Sequence, residues 1–330
     1  MVTVSGALVA TAAGGSTGPD SRSVCTARTR FQVASVSKQF VAVAVLLLAD
    51  RSAIGLDDSV ARWVPDPLPQ WRQVTIHHLL THTASVAHWG DAPGFDPFQP
   101  RHPEDRVRLV LQAPLAGHPG ESWSYSSPGY LVLAAIVQQA VRQPYATFLA
   151  EQVFTPLGLT STTVGPPSQG EAAQGLHDGQ PARDLDASDM AGTADIWSTV
   201  EDLTRHSHAL HTGTLLSAQA RQAMTTAYAA VDDQEAARDR WIIGRGYGYG
   251  LFVGTIAGHQ AYFHPGDVPG YTSFAAWLPD TRMSIAILSN DDTSRPEDLI
   301  KGVLPADTAS RGQTATTDGR VHPVAAHRQL

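Results

Sequence analysis

The sequence predicts an α/β (α+β) protein in which an antiparallel sheet, flanked by helices, is built from both ends of the chain and a mostly helical lobe is inserted between its halves. Three observations carry this. Residues 2–12 and 23–33 mix β-branched and small residues; residues 56–204 alternate short helical patterns with Pro- and Gly-rich connections; β-rich stretches return at 246–256, 260–264, 271–278 and from Met283 to Leu288. The expected division is therefore 1–58 with 205–304 as the sheet lobe and 59–204 as the helical lobe. Residues 305–330, small and polar with little periodicity, are expected to form a disordered tail.

Taken in order, 2–12 runs into Gly14-Gly15 and 23–33 follows, so a hairpin with a Gly/Ser/Pro-containing loop is expected to open the sheet. From Ser37 to Asp50 there is no Gly or Pro and apolar residues fall on nearly every side, the pattern of a helix packed inside a protein. Helical patterns follow at Val74 to Leu80, Arg106 to Leu111, Gly129 to Val141 and Tyr145 to Phe154, separated by breakers such as Trp63-Val64-Pro65-Asp66-Pro67-Leu68-Pro69. Residues 198–223 add further helices before the closing strands. The long connections 84–105 and 165–195 are expected to shape any binding pocket. No internal repeat is present.

A chain of 330 residues, 42% hydrophobic and 16% charged, is ordinary for a globular protein with a sizeable core. Its net charge of −8 and the lack of a Lys/Arg cluster speak against nucleic acid and anionic membrane surfaces, leaving small molecules as the expected partners. Cys25 is the only cysteine, so no intrachain disulfide is expected. The N-terminus lacks a basic region followed by a long apolar run, which points to a cytoplasmic protein, or to a secreted one whose signal has been removed. The most apolar run, Phe40 to Ala49, is far short of the ~20 residues a membrane span requires.

Ser35-Val36-Ser37-Lys38 spaces a hydroxyl and an amine one helical turn apart, on one face. At a helix N-terminus the backbone N–H groups favour developing negative charge, and burial on an apolar helix lowers a lysine pKa until a proton-accepting amine is accessible. The pattern alone equally describes a capping serine and an unrelated lysine. Context favours chemistry: Lys38 is one of two lysines in the chain and lies in its most apolar helix. Tyr125, in Tyr125-Ser126-Ser127-Pro128-Gly129-Tyr130, stands in a loop able to hold a phenol at a cleft mouth, where it accepts the Ser35 proton and returns it to a leaving group; a plain loop tyrosine is the other reading. His264-Pro265-Gly266-Asp267 follows a strand-like stretch. The glycine lets substrate approach the backbone, and the Asp267 amide is placed to complete an oxyanion hole with the Ser35 amide, although a turn with an incidental histidine has the same letters. His78 and His82 lack a third ligand at a recognisable spacing, His206, His208 and His211 read as a solvated helix face, and Gly244-Arg245-Gly246-Tyr247-Gly248 lacks a dinucleotide-binding context.

In this order, S-x-x-K, a Tyr-Ser loop and H-x-G resemble the serine β-lactamase and penicillin-binding-protein superfamily. The likeness is to its class C-like branch of D-alanyl-D-alanine carboxypeptidases, D-amino-acid peptidases, esterases and some transesterases. It extends through Phe31 to Asp50, Leu56 to Val60, Thr75 to Thr83, Phe154 to Leu159 and Tyr247 to Leu251, about residues 5–300. The resemblance implies a β-lactamase/transpeptidase-like fold, Ser35 as nucleophile activated by Lys38 and Tyr125, and substrate contacts from Ser127, His264, Gly266 and Asp267, with no cofactor and no metal. The expected activity is transfer of an acyl group from an ester, or an amide, through Ser35 to water. An acyltransferase or transesterase, a D-amino-acid peptidase or DD-carboxypeptidase, and a catalytically silent binding protein remain as alternatives. Two departures matter. Ser127 stands where the family usually has asparagine, which weakens recognition of an acyl amide and favours esters. The chain also starts almost at its first strand, where the family commonly has a helix, so a less covered sheet face is expected, open to a homodimer or to another partner contact.

Overall fold

The computed structural model describes residues 1–304 apart from 90–95, 97, 100–101, 169–171, 184, 186–189, 214 and 232–240. The expected tail at 305–330 lies outside the described residues. The strands are β1 (Val2–Val4), β2 (Ala7–Ala10), β3 (Phe31–Gln32), β4 (Thr163–Val164), β5 (Leu176–His177), β6 (Gln180–Pro181), β7 (Ile196–Ser198), β8 (Ala229–Ala230), β9 (Ile242–Tyr247), β10 (Phe252–Ile256), β11 (His259–Val268), β12 (Tyr271–Leu278) and β13 (Met283–Ser289). The helices are α1 (Ser37–Asp50), α2 (Ile76–Leu80), α3 (Pro103–Leu111), α4 (Ser127–Val141), α5 (Tyr145–Leu149), α6 (Thr155–Leu157), α7 (Val200–Thr212), α8 (Ala218–Thr225) and α9 (Pro296–Val303).

One antiparallel sheet in the order β2-β1-β13-β12-β11-β10-β9-β8 dominates, and the first strand lies against the last, Val2 opposite Ile285. Side chains alternate between its faces as a pleated strand requires. Tyr262, Ala275 and Ala286 join the core beneath the helices, whereas Phe263, Phe274, Ala276 and Ile285 join a second core with Ile300 of α9 and Leu304 just after it. No helix among the described residues is long and apolar enough to cross a membrane.

The central helix α1 is buried from Ser37 to Leu48. Each large apolar side chain it hides from water stabilises the fold by roughly 1.5–3 kcal/mol. Its polar first turn is therefore fixed by a helix that cannot easily shift. Helix α4 starts at Ser126, whose Oγ accepts the Gly129 N–H at 3.3 Å, with proline in its first turn, and α7 is capped by Thr199 and closed by Gly213 at φ 98°.

Four expectations need correction. The opening hairpin is tighter than 2–12 with 23–33: β1 and β2 pair across Ser5 and Gly6, whose φ of 50° and 83° suit a two-residue turn, while β3 pairs with β7 in a separate small sheet. The stretch 246–256 is two strands, β9 and β10, because the chain turns at Gly250, φ 72°, where a side chain would come within 2.7 Å of the Lys38 carbonyl. His264 to Asp267 lies within β11 rather than after a strand. The α7 histidines are not a solvated face. His206 is buried and stacks on Phe40 at 4.1 Å, and His211 stacks on Trp277 at 5.3 Å, because α7 is clamped between the sheet and α1.

The segment around β5 and β6 is tied to the sheet where backbones cross. Leu176 N–H bonds to Asn290 O at 2.9 Å, and Tyr271 Oη donates to Ala173 O at 2.9 Å. Gly175 and Gly270 meet there, and a Cβ on either would fall within 3.0 Å of the other's Cα.

Candidate active site

The chain enters the site through Ala34, held at φ 49° in the left-handed region, a conformation that costs a non-glycine residue roughly 1–2 kcal/mol. This bend turns the chain from β3 into the single tight turn Ala34–Val36 and then α1. Ser35 therefore sits in the turn preceding the helix, half-buried, with its side chain open to a cavity of about 670 Å³.

Lys38 lies one turn further on and is fully buried. Its Nζ is 3.0 Å from Ser35 Oγ, 3.1 Å from Ser127 Oγ and 3.3 Å from the Thr193 carbonyl oxygen. Burial pulls its pKa down to about 7, while the negative charges of Asp267 and Asp195 keep it from falling further. The amine is thus poised between proton donor and acceptor near neutral pH, in contact with the hydroxyl of Ser35.

Tyr125 stands beside this pair, its ring centroid 4.9 Å from Lys38 Nζ. The loop carrying it is held by two histidines. His82 Nδ1 accepts the Ser126 N–H at 3.1 Å and its carbonyl accepts the Ser124 N–H at 2.9 Å, while His88 Nδ1 faces the Ser127 N–H at 3.4 Å. The His82 ring also packs on Tyr125 at 4.4 Å, and burial, with Lys38 nearby, pushes its pKa well below the usual range. His82 is a structural clamp at φ 58° just past α2. Among the described residues, no group of three or more His, Cys, Asp or Glu side chains is arranged to hold a metal ion.

The opposite wall is β11. Its pairing with β10 ends at Phe263 opposite Phe252, and its pairing with β12 continues to Val268. From His264 onward one edge of the strand therefore faces the cleft. A Cβ on Gly266 would lie 2.9 Å from Ser35 N, 2.8 Å from Val33 O and 2.5 Å from Ser273 Oγ, so glycine is what lets the strand press against the serine turn. Ser273 Oγ donates to Val33 O at 2.7 Å and pins the same contact. His264 is buried, with Nδ1 directed to the Pro265 carbonyl; since that oxygen only accepts, Nε2 is the acceptor for Tyr247 Oη at 3.0 Å. Asp267 is exposed at the rim.

The cavity brings Ser35, Tyr125, Ser127, His264, Gly266 and Asp267 together, and Lys38 lies directly behind its floor. Reasoning from the sequence gave no role in the site to three residues that organise it: His82, His88 and Tyr247. None belongs to a pattern with a chemical meaning of its own; each takes its role from a hydrogen bond made across the fold.

Fold and comparison together define a class, the β-lactamase and penicillin-binding-protein superfamily. Within it the chain belongs to the Beta-lactamase family, whose model matches residues 1–310. It is 28% identical to penicillin-binding protein 4* of Bacillus subtilis over 298 residues, 82% of this chain and 63% of that protein. It is 36% identical to esterase EstB of Burkholderia gladioli over 170 residues, 46% of this chain and 43% of the esterase. The matched regions thus span less than two thirds of either relative. The octameric penicillin-binding-protein homologue of Pyrococcus abyssi superposes with a TM-score of 0.80 at 23% identity, covering 92% of this chain and 72% of that one, a likeness of fold.

Proposed function

We propose that the protein is a serine esterase that works through an acyl-enzyme on Ser35. The carrying observation is the buried amine of Lys38 bridging Ser35 Oγ at 3.0 Å and Ser127 Oγ at 3.1 Å, with a pKa of about 7. Lys38 accepts the Ser35 proton as Oγ bonds to the ester carbonyl carbon. The oxyanion is met by the Ser35 amide and the free edge of β11. As the C–O bond breaks, a proton passes through the Lys38–Tyr125 pair to the departing alkoxide. Water then attacks the acyl-enzyme, giving its proton back along the same groups, and the acid leaves.

Ser127 supports the choice of ester over amide. Its hydroxyl reaches Lys38, and at this position it is too short to hold an acyl amide as a longer amide side chain would. Trp123, Phe252 and Phe263 line the cavity, an apolar surface suited to the hydrocarbon part of a small ester. The test is a panel of p-nitrophenyl esters, a chromogenic cephalosporin and D-alanyl peptides, read against Ser35→Ala. Ester turnover well above the others, lost in Ser35→Ala, is expected. Rapid peptide cleavage with negligible ester turnover would return the enzyme to the peptidase side of its superfamily.

A further inference from the structure

The two long connections meet at the cleft, and a pair of side chains joins them. Arg183, from 165–195, holds its Cζ 3.8 Å from the ring centroid of Phe98, from 84–105. Phe98 is half-buried and lines the cavity together with Leu185 and Met190. A guanidinium over an aromatic face is held by the negative charge of the π-cloud, so the contact fixes the ring and covers one of its faces.

Phe98 is also held from a third element. Its N–H donates to Asp96 Oδ1 at 2.9 Å and the Gln99 N–H donates to Asp96 O at 3.2 Å, so Asp96 organises a turn around the aromatic residue. Arg106 Nη2 donates to Asp96 O at 3.0 Å and to Gln99 O, gripping both ends of that turn. Arg106 is fully buried on α3, and α3 packs against α4, the helix that begins at Ser127. Burying a guanidinium is costly unless its N–H groups are bonded, and here bonds of that kind go to the turn that carries Phe98. The ring is thereby referenced to the helix whose first residue touches Lys38.

The leaving-group side of the cavity has its own lining. Trp123 lies 6.4 Å from Tyr125 and 6.3 Å from Phe252, and Phe252 stacks on Phe263 at 5.6 Å. Because Tyr125 passes a proton to the departing alkoxide in the reading above, the alcohol part of an ester leaves among these rings. The acyl chain, on the other side of the carbonyl carbon, is left with the wall of Phe98, Leu185 and Met190.

We propose that Phe98 is the specificity-determining residue for the acyl chain: clasped by Arg183 and positioned by Arg106, its ring closes the acyl side of the cleft and restricts the enzyme to esters of short-chain acids. This names the substrate class of the esterase reading and rests on it. Arg106 is a positioning residue that acts through the turn.

The experiment reads chain length in two ways. In a series of p-nitrophenyl esters from acetate to decanoate, kcat/KM should peak at a short chain and fall as the chain lengthens. The ratio of decanoate to butyrate turnover should rise by roughly tenfold or more in Phe98→Ala, the scale on which a pocket wall discriminates between hydrocarbon lengths. A smaller rise is expected in Arg183→Ala, whose exposed side chain can be removed without touching the core, so the clasp is read even if Phe98→Ala fails to fold. Arg106→Met should shift the profile in the same direction, which a general loss of stability, lowering all lengths together, does not do. The second reading uses alkyl phosphonofluoridates of short and long chain: Ser35 Oγ bonds to phosphorus, fluoride leaves, and the serine proton goes to Lys38. Long-chain labelling should accelerate relative to short-chain labelling in Phe98→Ala. A profile that stays fixed in both Phe98→Ala and Arg183→Ala, or rates that fall equally at every length, would overturn the assignment. Ester turnover indifferent to Ser35→Ala, with labelling still chain-selective and relaxed in Phe98→Ala, would instead sink the esterase reading and leave the role of Phe98 standing.

Discussion

The two walls of the cleft are built on different principles. On the helical wall, side chains do the work: Ser35 comes from the turn before α1, Lys38 from α1, Tyr125 from the loop leading into α4 and Ser127 from its first residue, and their groups meet within hydrogen-bond or ring contact. On the strand wall the backbone does the work: Gly266 contributes no side chain, Pro265 no N–H, and His264 has both ring nitrogens turned to Tyr247 and Pro265. Chemistry sits where a buried helix supplies rigidity, and geometry sits where a strand runs out of its partner. Mutations on the two walls should therefore fail in different ways.

The largest effect is expected at the nucleophile. Ser35→Ala should abolish fluorophosphonate labelling and lower ester turnover by roughly 10⁴-fold or more, and Lys38→Ala should cost nearly as much without adding to it in the double variant. Additive losses would dissolve the idea that the helical wall acts as a unit. Tyr125→Phe keeps the ring stacked near His82 but removes the hydroxyl, so kcat should drop by roughly 10²–10⁴-fold while KM changes little. A rise in KM with kcat intact would make the phenol a recognition group.

The strand wall should break by displacement. Gly266→Ala drives a methyl toward Ser35 N, Val33 O and Ser273 Oγ, prising β11 from the serine turn. The expected result is a loss of about 10²–10³-fold in kcat, the scale of a lost oxyanion contact, with a lowered Tm. Wild-type kinetics would show that the contact is slack. The smallest effect is expected from Ser127→Asn, which lengthens the side chain beside Lys38 and should narrow the ratio of ester to D-alanyl amide turnover. An unchanged ratio in competition assays would remove Ser127 from the specificity argument.

How far the sequence could be read follows from the same contrast. The helical wall was legible because S-x-x-K on an apolar helix is a local pattern, and Ser37 to Asp50 is the observed helix α1. Strand β12 matched its expected span, 271–278, because Tyr271, Thr272, Phe274 and Trp277 favour a strand and all its residues are buried. Strand β11 was cut short because Pro265 and Gly266 read as a turn; they are tolerated because β10 has ended and the N–H that proline lacks falls on a free edge. The buried α7 histidines were misread because helical spacing alone does not tell which face meets Phe40 and Trp277.

The crossing of Gly175 over Gly270 bears on how such an enzyme changes over generations. With the two Cα atoms too close for either residue to gain a side chain, that point of the chain is closed to gradual variation. The surrounding segment is also fastened by main-chain groups, by Tyr271, by Asn290 Nδ2 donating to Gln174 O at 2.9 Å and by His177 Nδ1 against Asp292 at 2.7 Å. A loop pinned at these few places can vary between them without disturbing the turn that carries Ser35, so the shape of the cleft can change while its floor stays as it is.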